Sequence, residues 1–221
     1  MSERIWQVIM STTQTIGSSI EALKQADEFF MSIGPVHQTL RNVARRLSDA
    51  GIDYAVIGGM ALALHGFVRP TQDVDLLLSP GGLEKFRTEL VGLCYVPTFQ
   101  GARKHFRDTE TGVKVEIITS GEYPGDGKPK PVVFPDPALK SETIGEHRVI
   151  QLPTLIELKL ASGLSAEHRQ LRDLADVQQL IETLDLPENL SEQIDASVRD
   201  EYRRLWGLAK KSQSEQRETS D

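Results

Sequence analysis

Cysteine is nearly absent from this chain: Cys94 stands alone among 221 residues, so no internal disulfide can form. A lone thiol fits a reducing compartment, and the expected location is the cytoplasm. Aromatic residues are scarce, at 6%. Long apolar runs are lacking too. The longest, YAVIGGMALALHGFV, has 15 residues and is interrupted by a Gly pair and His65, whereas a membrane-spanning helix needs about 20. The opening MSERIWQVIM has no small-residue cleavage pattern, so no targeting segment is expected. Positive charge is in deficit: 25 Lys and Arg face 32 Asp and Glu, a net charge of -7. Such a surface repels phosphate backbones, which argues against extended DNA binding. The local basic cluster ARKHFR reads as a solvated loop, and His65, His105 and His147 fall in no zinc-ligand spacing.

What the chain does contain is helical periodicity around a few short strand patterns. The spacing predicts a helical extension over 1–35, a core over 36–152, a C-terminal helical part over 153–208 and a disordered polar tail over 209–221. Within the core, VHQTLRNVARRLSDAG reads as a helix stopped by Gly51. IDYAVI, DVDLLL, VKVEIIT and HRVIQL read as strands. GEYPGDGKPKPVVFPDP reads as loop from its Pro and Gly density. Pro153 opens a helix that Gly163 is expected to end. HRQLRDLADVQQLIETL follows as a helix with Leu171, Leu174, Ile181 and Leu184 on one side, and a further helix is expected within 190–208. The fold class this implies is α+β, a small mixed sheet with flanking helices.

The chemistry concentrates in DVDLLL. Side chains alternate along a strand, so Asp73 and Asp75 share one face, about 7 Å apart, while Val74, Leu76 and Leu78 point to the core. Two like charges on one face are unfavourable unless a cation lies between them. Two carboxylates at this separation suit a hard cation such as Mg²⁺, with substrate phosphates completing its shell. In VKVEIIT the same alternation puts Glu116 on a face with Lys114 and Ile118. If that strand lies beside DVDLLL, Glu116 becomes a third ligand or a general base; otherwise it pairs with Lys114 in water. Upstream, Gly58 and Gly59 close a strand and open a helix, where a backbone without Cβ can approach an anion. Arg69 and Thr71, lying between this turn and the acids, read with it as nucleotide contacts. Arg69 offers a bidentate fork to phosphate oxygens or serves as a plain surface charge.

The order GG, then R-x-T-x-D-x-D, then an acid on a later strand resembles the DNA polymerase beta-like nucleotidyltransferase superfamily, in its small bacterial members. The resemblance covers roughly 36–185. It implies that Gly58 and Gly59 form the phosphate loop and that Asp73, Asp75 and Glu116 are the metal-binding and catalytic acids. Glu116 stands where Asp is commoner, and Met60 where Ser is frequent. LIELKLASGLSAEHRQLRDLADVQQLI is similar to a segment of nucleotidyltransferases related to type IV toxin–antitoxin toxins. There the matching Lys159 contacts the nucleotide and the matching Asp173 supports the site. The residues alone allow another account, in which Arg169–Asp173 and Arg172–Asp176 are i,i+4 pairs on an exposed helix face. The resemblance implies Mg²⁺-dependent transfer of a nucleoside monophosphate from an NTP such as ATP to an acceptor hydroxyl, on a small molecule, a tRNA or a protein. A metal-dependent glycosyltransferase and a non-catalytic, antitoxin-type binding protein are the alternatives.

Overall fold

The structure is a computed structural model in which residues 34–218 are described; the expected N-terminal helical extension lies outside them. Helix α1 (Pro35–Asp49) begins with proline in its first turn, where the missing N–H costs nothing. It buries Thr39, Leu40, Val43, Ala44 and Leu47 on one stripe. The left-handed Gly51 ends it. Strand β1 (Tyr54–Ile57) is buried at every position and runs into the short helix α2 (Gly58–Leu64). Strand β2 (Asp73–Leu78) leads through the Ser79 cap into α3 (Pro80–Glu89). Then come β3 (Tyr95–Pro97), β4 (His105–Asp108), β5 (Lys114–Thr119), β6 (Ser141–Ile144) and β7 (His147–Ile150).

The seven strands form one mixed sheet in the order β3-β4-β5-β2-β1-β7-β6. Pairs β2–β5 and β1–β7 are parallel and the others antiparallel. The α+β class is as the sequence indicated. Three strands were not foreseen. Strand β6 is polar and half-exposed, and β3 is three residues long, so neither carries an apolar signal. Strand β4 lies in the supposed solvated loop ARKHFR; alternate residues Phe106 and Asp108 are buried there. Phe106 packs on Phe86, which also meets Tyr95, each at 5.1 Å between ring centres. Asp108 is fully buried, its carboxylate held by Arg46 at 3.3 Å and by the N–H groups of Glu110 and Thr111.

The C-terminal helices are α4 (Leu152–Ser165), α5 (Glu167–Leu184) and α6 (Arg199–Glu218), with two short 3-10 turns between the last two. Gly163 does not end α4. The helix passes it, and a Cβ there would come within 2.9 Å of the Leu174 side chain, so the glycine lets α5 pack close. The buried stripe of α5 also differs from expectation. Leu171 is 87% exposed, whereas Asp173, Asp176, Val177, Leu180 and Ile181 are buried. The polar segment expected to be a disordered tail continues α6 as far as Glu218. One hydrophobic cluster joins Val56, Leu76 and Ile117 of the sheet to Ile156, Val177 and Tyr202, so the core is continuous across position 152. Among the described residues no helix is long and apolar enough to cross a membrane.

Candidate active site

The sheet places the acids. Val74, Leu76 and Leu78 are fully buried, which turns Asp73 and Asp75 to the opposite face of β2. Strand β5 lies directly beside β2, parallel, with Asp75 opposite Glu116. Val115 and Ile117 anchor β5 in the core, leaving Glu116 half-buried on the same face as Asp75. All three carboxylates line one cavity of about 730 Å³ between the sheet face and helices α4 and α5, within the usual size range of small-molecule sites. The side-chain nitrogen nearest Glu116 is His105 Nδ1, 3.8 Å away, and Lys114 makes no ion pair with it.

The two glycines have separate steric reasons. Gly58 has a left-handed backbone, φ +64°, and a Cβ on it would collide with the Asp75 carboxylate. A Cβ on Gly59 would lie 2.9 Å from Cβ and Oγ1 of Thr71. Thr71 in turn donates a hydrogen bond from Oγ1 to Asp73 Oδ1 at 2.9 Å. The turn is therefore fitted to the acids as well as open towards the cavity. Met60, in the next position, is buried in the core.

Asp75 keeps a window on the cavity but is otherwise enclosed. Burial first, then the charges of Asp73 and Glu116, push its carboxyl up from the ordinary 3.8 to about 7; Lys159 and Arg169 oppose the rise. A carboxylate so short of positive charge is the complement of a cation site.

The far wall is an ion network. Lys159 of α4 is buried, and its ammonium donates to Asp173 Oδ1 at 3.0 Å and Asp176 Oδ2 at 2.7 Å. Arg69 donates to the same Asp176 from Nε at 2.8 Å and from Nη2 at 3.0 Å. The bidentate fork expected to meet a phosphate thus grips Asp176. The i,i+4 pairs proposed for α5 do not form. Asp173 and Asp176 face inward, while Arg169 and Arg172 are exposed on the cavity rim and make no ion pair among the described residues. Sequence reading missed Asp176 and these two arginines, because i,i+4 spacing gave each a ready partner. Of the remaining singled-out groups, His65 Nε2 bonds the Ile150 carbonyl at 2.8 Å, and Cys94 is a half-buried free thiol.

No family model matches the chain, and no curated protein matches it either. Solved structures do. A protein of Helicobacter pylori, JHP933, aligns over 83% of this chain and 94% of its own at 15% identity, with a TM-score of 0.45. A candidate nucleotidyltransferase of Thermotoga maritima aligns over 63% and 91% at 22% identity, with a TM-score of 0.43. An antigenic nucleotidyltransferase-like protein of Paracoccidioides brasiliensis aligns over 83% and 89% at 16% identity, with a TM-score of 0.44. Likeness of this degree leaves function to be argued from the site itself.

Proposed function

We propose that the protein is a nucleotidyltransferase, moving a nucleoside monophosphate from an NTP to an acceptor hydroxyl with release of pyrophosphate. The observation that carries this reading is the placement of Asp73, Asp75 and Glu116 on two adjacent parallel strands, facing one cavity whose Gly58 turn is shaped around Asp75.

The donor set is all oxygen, and Asp75 is a largely enclosed carboxylate that makes no ion pair among the described residues, its charge opposed more by Asp73 and Glu116 than it is helped by Lys159 and Arg169, so the residues fit Mg²⁺. Among the described residues no three His, Cys, Asp and Glu side chains form a ready metal cluster. Asp73 and Asp75 would hold the ion together with substrate oxygens, the usual coordination of Mg²⁺. When bound, Mg²⁺ supplies charge neutralisation at the attacking and leaving oxygens. The chain's own groups do the rest. Gly58 and Gly59 present backbone to the triphosphate at the start of α2. Arg169 and Arg172 on the rim offer cations not committed elsewhere. Glu116 stands beside Asp75 to accept the acceptor's proton as its oxygen attacks the α-phosphorus. Lys159, locked by Asp173 and Asp176, fixes the far wall.

The test is incubation of the protein with each labelled NTP, Mg²⁺ and cell extract. Label should pass to a small molecule, a tRNA or a protein, and Asp73→Asn and Asp75→Asn should both abolish the transfer while remaining folded. Wild-type turnover by either variant, or transfer only from nucleotide sugars, overturns the assignment.

A further inference from the structure

The sheet continues past the acids. Strand β4 pairs antiparallel with β5 on the side away from β2, with His105 opposite Glu116 and Arg107 opposite Lys114, and β3 brings Val96 opposite Arg107. Residues opposite one another share a sheet face, with Cβ atoms about 5 Å apart. Two rows therefore cross the acid-bearing face. One runs Asp75, Glu116, His105. The other lies about 7 Å along the strands and runs Asp73, Lys114, Arg107, Val96. The reverse face packs Phe106, Val115 and Ile117 into the core. On the acid side Val96, His105, Arg107 and Lys114 are all exposed, so the described residues leave this part of the sheet open. None of the four lines the cavity; they lie on the strands beside it.

Lys114 and Arg107 are cross-strand neighbours, and like charges directly opposite each other are unfavourable unless an anion lies between them. Neither makes an ion pair among the described residues. Arg107 donates to the Gly112 carbonyl, and Asp73, the acid opposite Lys114, is engaged by Thr71. In a chain of net charge -7, two adjacent uncompensated cations are a local reversal of sign that complements an anion. Two cations match one phosphate, whereas a polyanion needs a longer basic track. Their position suits an acceptor. In-line displacement puts the attacking oxygen opposite the leaving pyrophosphate. The Gly58 turn meets Asp75 from the β1 side, so a triphosphate held there leaves the β4 side, beyond Glu116, for the acceptor.

We infer that the acceptor is a small phosphorylated hydroxy compound, its phosphate held by Lys114 and Arg107 and its hydroxyl, about 7 Å away, at Glu116. The hydroxyl proton passes to Glu116, its oxygen bonds the α-phosphorus, and the bond to pyrophosphate breaks. The inference rests on the nucleotidyltransferase reading, and its test separates the two. Cell extract is divided by ultrafiltration into a low-molecular-weight and a macromolecular fraction, and each is offered to the full chain with each labelled NTP and Mg²⁺. Label should pass to the small fraction, and should no longer do so once that fraction has been treated with alkaline phosphatase and the phosphatase filtered off. The double variant Lys114→Gln, Arg107→Gln should need roughly 10-fold more of the small fraction for half-maximal transfer, the loss of charge-assisted contacts at an exposed site. Its NTP affinity by calorimetry and its melting temperature should match the wild type, and Lys114→Arg should keep most of the transfer. Label confined to the macromolecular fraction, acceptor activity that survives phosphatase, unchanged half-saturation in the double variant, or NTP binding without a labelled product overturns the phosphate subsite and leaves the donor site standing. A wild type that neither binds nor consumes any NTP overturns the nucleotidyltransferase reading, and the subsite with it.

Discussion

Replacing Asp75 by Asn should stabilise the metal-free protein, and by an amount that depends on pH. In the fold the carboxyl is raised from 3.8 to about 7, so the folded state holds its proton more tightly than the unfolded chain does. The sign follows from proton linkage. The stability tied to this group is intact below pH 3.8, declines as pH rises, and is lost once pH passes about 7. At about 1.4 kcal/mol per tenfold change in proton affinity, the loss reaches up to ~4 kcal/mol. The window that Asp75 keeps on solvent reduces this, so roughly 2 kcal/mol is a fair expectation. For a chain of this size that corresponds to about 4–8 °C in melting temperature. Asn has nearly the same shape and cannot ionise. Thermal melts with a chelator should therefore show wild type and Asp75→Asn close together near pH 4. The variant's advantage should widen towards pH 7 and level off above it. Added Mg²⁺ should raise the wild type and not the variant, through binding to the folded state alone. A variant less stable than wild type at pH 8, or a difference that ignores pH, would refute the account of Asp75 as a carboxylate enclosed without its cation.

Asp176→Asn should cost roughly 3–5 kcal/mol, since it removes the anion shared by Lys159 and Arg69 from a buried network; chemical denaturation measures it, and a cost below ~1 kcal/mol would mean the network is not coupled. Gly59→Val should lower stability by roughly 1–3 kcal/mol through collision with Thr71 and abolish ATP binding, because Thr71 holds Asp73; unchanged ATP affinity by calorimetry in a folded variant removes the phosphate-loop role. Glu116→Gln should cost under about 1 kcal/mol without metal, since its pairing with His105 is partly exposed, yet reduce turnover strongly and shrink the Mg²⁺-induced rise in melting temperature. Unaltered turnover with an unaltered Mg²⁺ response would confine the site to Asp73 and Asp75.

Strand β2 was legible because its two faces differ so sharply, acids on one and aliphatics on the other. The fit of the Gly pair to Asp75 and Thr71 was not, since it depends on how the 69–72 segment returns under the turn. The adjacency of β2 and β5 could be stated only as a condition; no local pattern specifies which strands become neighbours. Strands β3, β4 and β6 escaped notice because they are short or half-solvated, and a period-2 signal needs a buried face several residues long. Helix α5 misled more instructively. Leu171, Leu174, Ile181 and Leu184 suggest an apolar stripe, yet the helix turns two aspartates inward, because Lys159 on α4 and Arg69 receive them there. Buried charge pairs of this kind cannot be read from one helix alone.

Arg69 and Asp176 lie 107 residues apart in the chain, yet one bidentate bridge makes them a single unit. That ties together the drift of two distant stretches of sequence. A relative that loses the carboxylate at 176 leaves Arg69 without its partner and Lys159 with Asp173 alone, and is expected to carry a neutral residue at 69 as well. Where 69 changes first, the acid at 176 still has Lys159 and can persist. Substitutions in this lineage should therefore be ordered, with the arginine the earlier and more frequent to go, and an arginine at 69 facing a non-acidic 176 should be rare.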